Sequence, residues 1–523
     1  MTERGTFYLT TAIFYPSERP ALHSMFEAIG ADAIARYHRL LGHDTRFLTG
    51  MDEHSANVER DARELGIDPH QLIDPWAATW QATFERFGIS ADRFIRTTDP
   101  DHAAASSEMV RRAQAAGDVY EGVYSGWYCT GCNEFKTDQQ LVDGRCPDHP
   151  TLEPQWLEES NHFFRLSAYQ ERLERLYAEN PSFCEPEHFR NEVLGWLREG
   201  LRDFSISRSG TSWGIPFPGD ENHRIYVWFD ALTNYLTGAG FPDDAASFER
   251  WWPADLHVIG KNITRFHCLY WPAMLMSAGL PLPKQVFAHG FMLDRSGQRM
   301  SKTTGNTEDP DEVADTFGVD GIRYVVLREV PFDRDADVTY DSFVRRYNAD
   351  LANDLGNLVN RTVSMSNRYL GGRLPPVRDS TDPADLEIRD AAARVVAAYH
   401  AAMGVHHLDE ALAALMELAG ATNGYAEGQA PWGLHKAGES ARLAQVLAVM
   451  GESCRILGHL LAPVAPTGAR AIHDQLGIAP PYDGRGAGGP GLDALLRWGG
   501  HPDGLATTAP TPIFPRIEVE AAV

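Results

Sequence analysis

The first fifty residues alternate between strand-like and helix-like hydrophobic patterns. The run TFYLTTAIFY is rich in β-branched and aromatic residues and predicts a buried strand. Apolar residues then recur at helical spacing from Phe26 to Leu41 and stop at Gly42, which predicts an amphipathic helix. The run TRFLTG predicts a second strand. Such a strand–helix–strand unit places its ligand crevice beyond the carboxyl ends of the strands.

The pattern changes twice further along the chain. A segment from about residue 118 to 220 interrupts the α/β rhythm, and the runs RIYVWFDA and DLHVIG predict that the sheet resumes after it. Beyond about residue 345 only amphipathic helices are predicted, in runs that begin LANDLGNLVN, LEIRDAAARV, LDEALAALME and ARLAQVLAVM. We therefore expect an α/β domain split by an insertion and followed by an all-α bundle.

Composition narrows the class of protein. The chain is 43% hydrophobic and has no run of 18 apolar residues, which predicts a globular protein without a membrane span. Its N-terminus lacks the basic region, apolar core and cleavage site of a secretory signal, so we expect a cytoplasmic protein. The net charge of −25 argues against a general nucleic-acid coat but is compatible with a locally basic RNA site.

Three of the six cysteines fall in one short segment, CTGCNEFKTDQQLVDGRCPDH. Cys129 and Cys132 form a C-x-x-C pair, and Cys146 and His149 form a C-x-x-H pair. Three thiolates and one imidazole on two knuckles are the ligands of a tetrahedral zinc site. Because four protein ligands leave no open coordination position, we predict a structural Zn²⁺.

A polar loop, GQRMSKTTGN, carries Arg299 and Lys302. A cation on such a loop can clamp a pyrophosphate as charge develops on it. A solvated basic turn has the same composition, so the loop indicates function only together with other motifs.

Those motifs together resemble the methionyl-tRNA synthetases, a family of class I aminoacyl-tRNA synthetases. The resemblance rests on FLTGMDEH, IYVWFDALTNY, GKNITRFHCLYWPAML, VFAHGFML followed by RMSKT, and QAPW, which occur in the family's order. It extends from Tyr8 to the terminal IFPRIE. It implies ATP with Mg²⁺, methionine and tRNA(Met) as substrates, together with the structural Zn²⁺. Since the appended C-terminal module of some members is lacking, we expect a monomer.

The resemblance also implies a domain organisation. Residues 1–117 would form the first half of a Rossmann-type catalytic domain, and residues 118–224 a connective insertion with the zinc knuckle at 129–149. Residues 225–345 would form the second half, including the loop that is similar to the family's KMSKS loop. Residues 346–523 would form the helical anticodon-binding domain.

A methionine pocket is implied on an apolar and aromatic set of side chains. Its walls would be Ala12, Ile13, Tyr15, Trp228, Ala231, Leu232, Tyr235, Ile263 and His267. Such a slot suits an unbranched thioether with polar groups at one end. Asp52 would bind the ammonium group of the amino acid.

An anticodon-reading set is implied as well. Asn357 and Arg361, four residues apart on one helix face, match the family's base-contacting pair, and Trp432 matches its stacking aromatic. Aromatic stacking and amide or guanidinium hydrogen bonds are the usual means of reading single-stranded bases.

The ATP site is where the chain departs from the family. A gapless alignment places Ala21, Leu22, His23 and Ser24 at the family's His-Ile/Leu-Gly-His turn. Both phosphate-facing histidines are thus replaced, and an imidazole occupies the glycine position. Losing one transition-state donor typically lowers the rate about 10²–10³-fold, so two such losses predict weakened amino-acid activation.

The remaining ATP contacts are only partly kept. After Gly260, Asn262 replaces an aspartate that holds the ribose, and Arg299 replaces the first lysine of the family's loop. The residues expected to carry catalysis are therefore Lys302, Arg299 and His23.

Three functions follow from this pattern. The first is a methionine–tRNA ligase, ordinary or slow. The second is a specialised paralogue that activates or joins amino acids in a natural-product pathway, for example by N–N bond formation with a separate cupin-type partner protein. The third is a non-catalytic binder of methionine or tRNA, which the retained anticodon residues would suit.

Overall fold

A six-stranded parallel sheet forms the centre of the α/β part of the chain. The computed structural model describes residues 5–16, 19–130, 134–136, 138–147, 149–294, 309–478, 491–503 and 505–518. Its strands are β1 Thr6–Phe14, β2 Asp44–Met51, β3 Arg93–Arg96, β4 Val119–Cys129, β5 Glu134–Lys136, β6 Gln155–Phe164, β7 Cys184–Glu185, β8 Phe204–Ser205, β9 Ser207–Ser209, β10 Pro216–Phe217, β11 Asp220–Ile225, β12 Leu256–Gly260, β13 Val286–His289, β14 Met292–Leu293, β15 Ala336–Asp337, β16 Arg373–Leu374 and β17 Leu505–Ala506.

The strand order of the main sheet is β3-β2-β1-β12-β13-β7, and every pair is parallel. At the centre, Leu9 of β1 pairs with Phe47 of β2 on one side and with Leu256 of β12 on the other. Strands β2 and β3 therefore lie on one side of β1, and strands β12, β13 and β7 lie on the other, so the strand order reverses at β1. Ligands of parallel α/β sheets bind at the carboxyl edge of such a switch point, so the crevice is expected beyond Phe14 and Gly260.

Twenty α-helices surround and follow the sheet within the described residues. They are α1 Leu22–Leu41, α2 Ala56–Leu65, α3 Pro69–Arg86, α4 Pro100–Ala115, α5 Gln170–Glu179, α6 Glu187–Glu199, α7 Val227–Leu232, α8 Asn234–Ala239, α9 Ala245–Trp251, α10 Trp271–Ser277, α11 Pro310–Phe317, α12 Val319–Glu329, α13 Tyr340–Arg346, α14 Asn357–Leu370, α15 Pro383–Gly404, α16 Leu408–Gln429, α17 Pro431–Ala437, α18 Ser440–Leu461, α19 Pro466–Leu476 and α20 Leu492–Leu495. No helix among them is long and apolar enough to cross a bilayer.

The predicted class, an α/β sheet of Rossmann type followed by helices, is confirmed. The strands predicted from TFYLTTAIFY, TRFLTG and DLHVIG are β1, β2 and β12, and the predicted first helix is α1. The four amphipathic runs are helical, the first as a π-helix over Tyr347–Gly356 that continues into α14. Within the described residues beyond 345, the exception to the predicted all-helical structure is the short antiparallel pair of β16 and β17.

The prediction that RIYVWFDA returns to the main sheet is wrong. Its first residues end β11, which pairs antiparallel with β9 and β10 in a separate sheet, and its remainder forms α7. Val227 and Phe229 are buried, and a short apolar run with no exposed face has no periodicity that separates strand from helix. The main sheet resumes at β7 and β12 instead.

Helix α1 connects the sheet to the helical part of the chain through buried charge. Asp32 Oδ2 lies 2.6 Å from Arg36 Nε and 2.7 Å from Arg323 Nη2, and its Oδ1 accepts a 2.7 Å hydrogen bond from the backbone N–H of Ser90. Arg323 also donates to the carbonyl of Val464, just after α18. Breaking such a buried network is strongly destabilising, by about 3–5 kcal/mol, because it leaves one charge without a partner.

Candidate active site

Asp52 follows β2 at the carboxyl edge of the sheet and is only 3% exposed. Its carboxylate accepts a hydrogen bond from the backbone N–H of His54, while Oδ1 has no hydrogen-bond partner in the described part of the chain. Burial, reinforced by repulsion from Asp230, raises the pKa of Asp52 well above its usual range. A buried carboxylate in this state is suited to receive a cationic group.

The second carboxylate, that of Asp230 on α7, has a hydrogen-bond partner on each of its two oxygens. Its oxygens lie 2.6 Å from His54 Nδ1, 2.8 Å from His102 Nε2 and 2.8 Å from Ser106 Oγ. Burial alone would raise the pKa of Asp230, but His102 and His54 outweigh it and the pKa lies well below its usual range. The Asp230 carboxylate is therefore ionised, and its charge disfavours a negative charge on Asp52 unless a cation binds there.

The predicted methionine residues come from three parts of the sheet edge. Ala12 and Ile13 lie at the end of β1, Trp228, Ala231 and Leu232 on α7, Tyr235 on α8, and Ile263 and His267 after β12; Tyr15 follows β1. Ala12, Ile13, Trp228 and Ile263 are partly buried and pack against the hydrophobic cluster that includes Leu232 and Tyr235. The structure thus brings six of the nine residues to one apolar region, although these six span more than 250 residues of sequence.

Hydrogen bonds fix the polar groups of this region. The Tyr235 hydroxyl lies 2.7 Å from His267 Nε2, and His267 Nδ1 lies 3.0 Å from the carbonyl of Ile263. A carbonyl accepts, so Nδ1 carries the proton and Nε2 accepts from the tyrosine. Burial lowers the pKa of His267 to about 4, which keeps the ring neutral at physiological pH. The Trp228 ring stacks on Phe266 with centroids 3.9 Å apart.

The turn at the start of α1 lies where the sequence placed it. Ala21 is the N-cap in extended conformation and provides no side-chain cap, and the helix begins at Leu22. Ala21 is buried, whereas His23 and Ser24 are partly exposed at the carboxyl edge of the sheet. The first N–H groups of a helix lack internal partners and carry partial positive charge, so this end of α1 can face an anion.

Gly260 and Asn262 lie beside this turn at the end of β12. A Cβ on Gly260 would lie 2.8 Å from Asn262 Oδ1 and 3.7 Å from His289 Nε2, so a larger residue there would have to displace the Asn262 side chain. The Asn262 side chain is exposed. The neighbouring Lys261 is not free to bind phosphate, since its Nζ lies 2.6 Å from Asp335 Oδ2.

The sequence did not indicate the contact between Glu27 and His289 at this edge. His289 Nε2 lies 2.8 Å from Glu27 Oε2, and His289 Nδ1 lies 2.7 Å from the carbonyl oxygen of Gly290. Both ring nitrogens of His289 therefore lie within hydrogen-bond distance of an oxygen. Glu27 also accepts a 3.0 Å hydrogen bond from the backbone N–H of Ala12, which ties α1 to β1. The position of His289 at a strand's carboxyl end was the available signal.

The loop with Arg299 and Lys302 lies outside the described residues, but its base is described. β14 follows His289 by three residues and pairs with β15, and the N–H of Phe291 donates 2.8 Å to Asp335 Oδ1. The last described segment before the loop thus lies near the end of β12, since a Cβ on Gly260 would lie 3.8 Å from the ring of Phe291.

The predicted zinc ligands converge as far as they are described. One ligand atom each from Cys129, Cys146 and His149 lies within 4.8 Å of the other two, and both cysteines are buried. Cys129 ends β4, and Cys146 and His149 form a β-bridge. Cys132 lies outside the described residues. Two thiols and an imidazole at this spacing fit a tetrahedral Zn²⁺.

The predicted anticodon residues lie on neighbouring helices. Asn357 is exposed at the start of α14, and the Arg361 guanidinium carbon lies 5.9 Å from the centre of the Trp432 ring on α17. Trp432 is 39% exposed, unusual for so large an apolar side chain. Arg361 also contacts Glu427, with 2.7 Å between Nη2 and Oε1.

Comparison with known proteins gives the family. The family profile described as tRNA synthetases class I (M) matches residues 7–153 and 150–363. The methionine–tRNA ligase of Thermosynechococcus vestitus is 43% identical over 524 residues, covering 99% of this chain and 98% of that relative. The methionine–tRNA ligase of Mycobacterium tuberculosis is 45% identical over 521 residues, covering 98% of each.

Solved structures agree with the sequence matches. The Mycobacterium tuberculosis methionyl-tRNA synthetase in complex with methionyl-adenylate superimposes with a TM-score of 0.92 at 44% identity, covering 98% of this chain and 100% of that one. The apo form of that enzyme gives a TM-score of 0.86 at 41% identity, covering 99% of each chain. With both its sequence and its fold matched over nearly its whole length, this chain belongs to the methionyl-tRNA synthetase family of class I tRNA synthetases.

Proposed function

We propose that the protein is a methionine–tRNA ligase, which activates methionine with ATP and transfers it to tRNA(Met). The observation that carries the proposal is the match, over 98% of the chain, to a methionyl-tRNA synthetase solved with methionyl-adenylate. The apolar region around Tyr235 and the buried Asp52 supply groups of the chemistry that a bound methionine needs.

Methionine would bind with its thioether among the apolar side chains and its ammonium on Asp52. The neutral His267–Tyr235 pair adds no charge to the slot, which suits an uncharged sulfur. The ionised Asp230 carboxylate strengthens the preference of Asp52 for the ammonium. Discrimination against polar side chains follows from the cost of burying a polar group without a partner.

Activation joins a carboxylate oxygen of methionine to the α-phosphorus of ATP and breaks the bond to the β-phosphate, releasing pyrophosphate. The terminal ribose hydroxyl of tRNA then attacks the carbonyl carbon of methionine, and AMP leaves. Both steps depend on positioning and on neutralising charge. Lys302, Arg299 and Mg²⁺ would counter the charge of the leaving pyrophosphate, and the N-terminus of α1 would face the phosphates.

The altered turn would make this activation slow. Ala21 has no polar side-chain atom, and Ser24 has a short hydroxyl in place of an imidazole, so two charge-stabilising donors of the family are lost. His23 is the one imidazole within the turn itself, at the position where the family has glycine. Reduced ATP turnover with retained methionine affinity is the expected signature.

The other substrate contacts follow the family. Asn357, Arg361 and Trp432 would read the anticodon, and Zn²⁺ on Cys129, Cys132, Cys146 and His149 would hold the insertion together. We propose a cytoplasmic enzyme, monomeric, with the four domains at the boundaries given above. The natural-product and non-catalytic alternatives are not adopted, because the relatives described above are methionine–tRNA ligases along their whole length.

The deciding experiment is aminoacylation of a tRNA(Met) transcript with radiolabelled methionine and ATP. The wild-type protein is expected to accumulate methionyl-tRNA, while Trp432→Ala is expected to charge more slowly with unchanged pyrophosphate exchange. Charging of a tRNA with an altered anticodon serves as the control. Consumption of ATP with another amino acid, and none with methionine, would refute the proposal.

A further inference from the structure

A second cluster of metal-ligating side chains lies in the insertion, separate from the cysteine knuckle. His162 is on β6, and Asp220 and His223 are on β11. Nε2 of His162 lies 3.1 Å from Oδ2 of Asp220, and Nδ1 of His223 lies 2.7 Å from the same oxygen. One ligand atom from each residue lies within 4.8 Å of the other two.

His223 presents one ring nitrogen to the carboxylate of Asp220. Its Nε2 lies 2.8 Å from the carbonyl oxygen of Ser160, so Nε2 carries a proton and donates it. In the neutral ring Nδ1 then presents a lone pair, and this buried atom lies 2.7 Å from a carboxylate oxygen of Asp220. Two electron-rich atoms so close require a positive charge between them, either a proton on Nδ1 or a metal ion shared with His162.

The hydrogen bond from His223 Nε2 to a backbone carbonyl is also typical of metal-ligating histidines. Metal-ligating histidines donate their other ring nitrogen to a carbonyl or carboxylate, which fixes the tautomer and aims the free nitrogen at the metal. Ser160 is two residues before His162 on β6, so the strand that provides one ligand also orients another.

His162 is held equally firmly. Its ring stacks on Phe217 with centroids 4.2 Å apart and an interplanar angle of 6°, and its backbone N–H donates 2.8 Å to Ser207 Oγ. The Asp220 side chain is 25% exposed, which leaves an entry path and room for water ligands. The cluster therefore has two imidazoles in fixed orientations and one carboxylate that solvent can reach.

We propose that His162, Asp220 and His223 form a second site for a divalent first-row metal ion, with Zn²⁺ as the best fit. Two imidazoles and one carboxylate suit Zn²⁺ better than Mg²⁺ or Ca²⁺, which prefer oxygen ligands alone. Bound metal would join β6 to β11. Strand β11 leads through Tyr226 directly into α7, which carries Trp228. The metal would therefore also stabilise the position of α7 and of Trp228 in the methionine slot.

The test is a Zn²⁺ titration of the full-length protein by calorimetry, with metal content measured by mass spectrometry. Wild type is expected to bind one equivalent more than His223→Gln or Asp220→Asn. His188→Gln, which removes an exposed histidine outside the cluster, should keep the wild-type stoichiometry. Because the comparison is between variants, it does not depend on occupancy of the cysteine knuckle. Equal stoichiometry in wild type and both cluster variants would overturn the proposal.

Cobalt(II) separates the two sites if a variant is less stable. Co²⁺ on thiolates gives intense near-ultraviolet charge-transfer absorption, whereas Co²⁺ on imidazole and carboxylate gives only weak visible bands. His223→Gln is expected to lose part of the visible absorption at saturating Co²⁺ and to keep the near-ultraviolet band. A spectrum identical to that of wild type in the visible range would contradict a cluster site.

Discussion

The hydroxyl of Tyr235 donates to Nε2 of His267 across 2.7 Å, at the junction of α8 with the segment that follows β12. The tyrosine is itself supported, because Tyr8 of β1 donates 2.9 Å to the carbonyl of Tyr235. Tyr235 therefore joins three elements: β1, α8 and the segment that follows β12. Methionine recognition should be sensitive to that residue in a way that general stability is not.

Tyr235→Phe is expected to weaken methionine binding. The substitution leaves Nε2 of His267 buried without its donor, at a cost of about 1–3 kcal/mol. The KM for methionine in pyrophosphate exchange should rise by about tenfold or more, with a smaller change in kcat. Tyr324→Phe is the matched control, since it loses a buried hydrogen bond to Asp350 away from the slot. A KM that rises equally in both variants would assign the effect to stability.

Asp52→Asn is expected to raise stability while it lowers methionine affinity. The folded pKa of Asp52 is raised, so the folded state binds the proton more tightly than the unfolded one. Stability is thus lost as pH rises from the usual carboxyl range towards the raised pKa, by about 1.4 kcal/mol per pH unit inside that window. The asparagine variant removes this loss, and its Tm should exceed that of wild type at pH 7.

Asp32→Asn is expected to change the stability of the fold in the opposite direction to Asp52→Asn, although both carboxylates are buried. Burial raises the pKa of Asp32, but Arg36 and Arg323 outweigh it and the pKa lies well below the usual range. This carboxylate therefore stabilises the fold above the usual carboxyl pKa, and that stability is lost as pH falls. Its asparagine variant should melt lower than wild type at pH 7. A lower Tm in both variants would argue against an uncompensated charge at Asp52.

Methionine affinity is expected to fall as pH is lowered. In the ligand-free protein a proton occupies Asp52 below its raised pKa, and the methionine ammonium must displace that proton. The affinity should therefore decrease about tenfold per pH unit below that pKa, with proton release on binding. Calorimetry in buffers of different ionisation enthalpy measures the release directly. The Asp52→Asn protein should bind weakly at every pH; a pH-independent wild-type affinity would contradict the role of Asp52.

Restoring the family turn is expected to accelerate activation. The triple variant Ala21→His, His23→Gly, Ser24→His returns both phosphate-facing imidazoles and the glycine between them. Each imidazole is expected to raise kcat of pyrophosphate exchange by up to about 10²–10³-fold. Glycine inside α1 should lower stability by about 1 kcal/mol. His23→Gly alone is the control, because it carries the helix effect without the new donors.

The local secondary structure and the position of the turn were predictable from the sequence, whereas contacts between residues far apart in the sequence were not. The strand, turn and helix from Thr6 to Leu41 follow from periodicity, and so does the position of the altered turn. The pair of Glu27 and His289 joins residues separated by 262 positions, and no local pattern indicates it. The cluster of His162, Asp220 and His223 likewise depends on two strands of different sheets.

This chain is expected to activate methionine despite its altered ATP turn. The deciding measurement is methionine-dependent exchange of labelled pyrophosphate into ATP, on the wild-type protein at high enzyme concentration. The exchange is expected to saturate with methionine, to be absent with other amino acids, and to increase in the triple turn variant. An absence of methionine-dependent exchange, in a protein that still binds methionine by calorimetry, would contradict it.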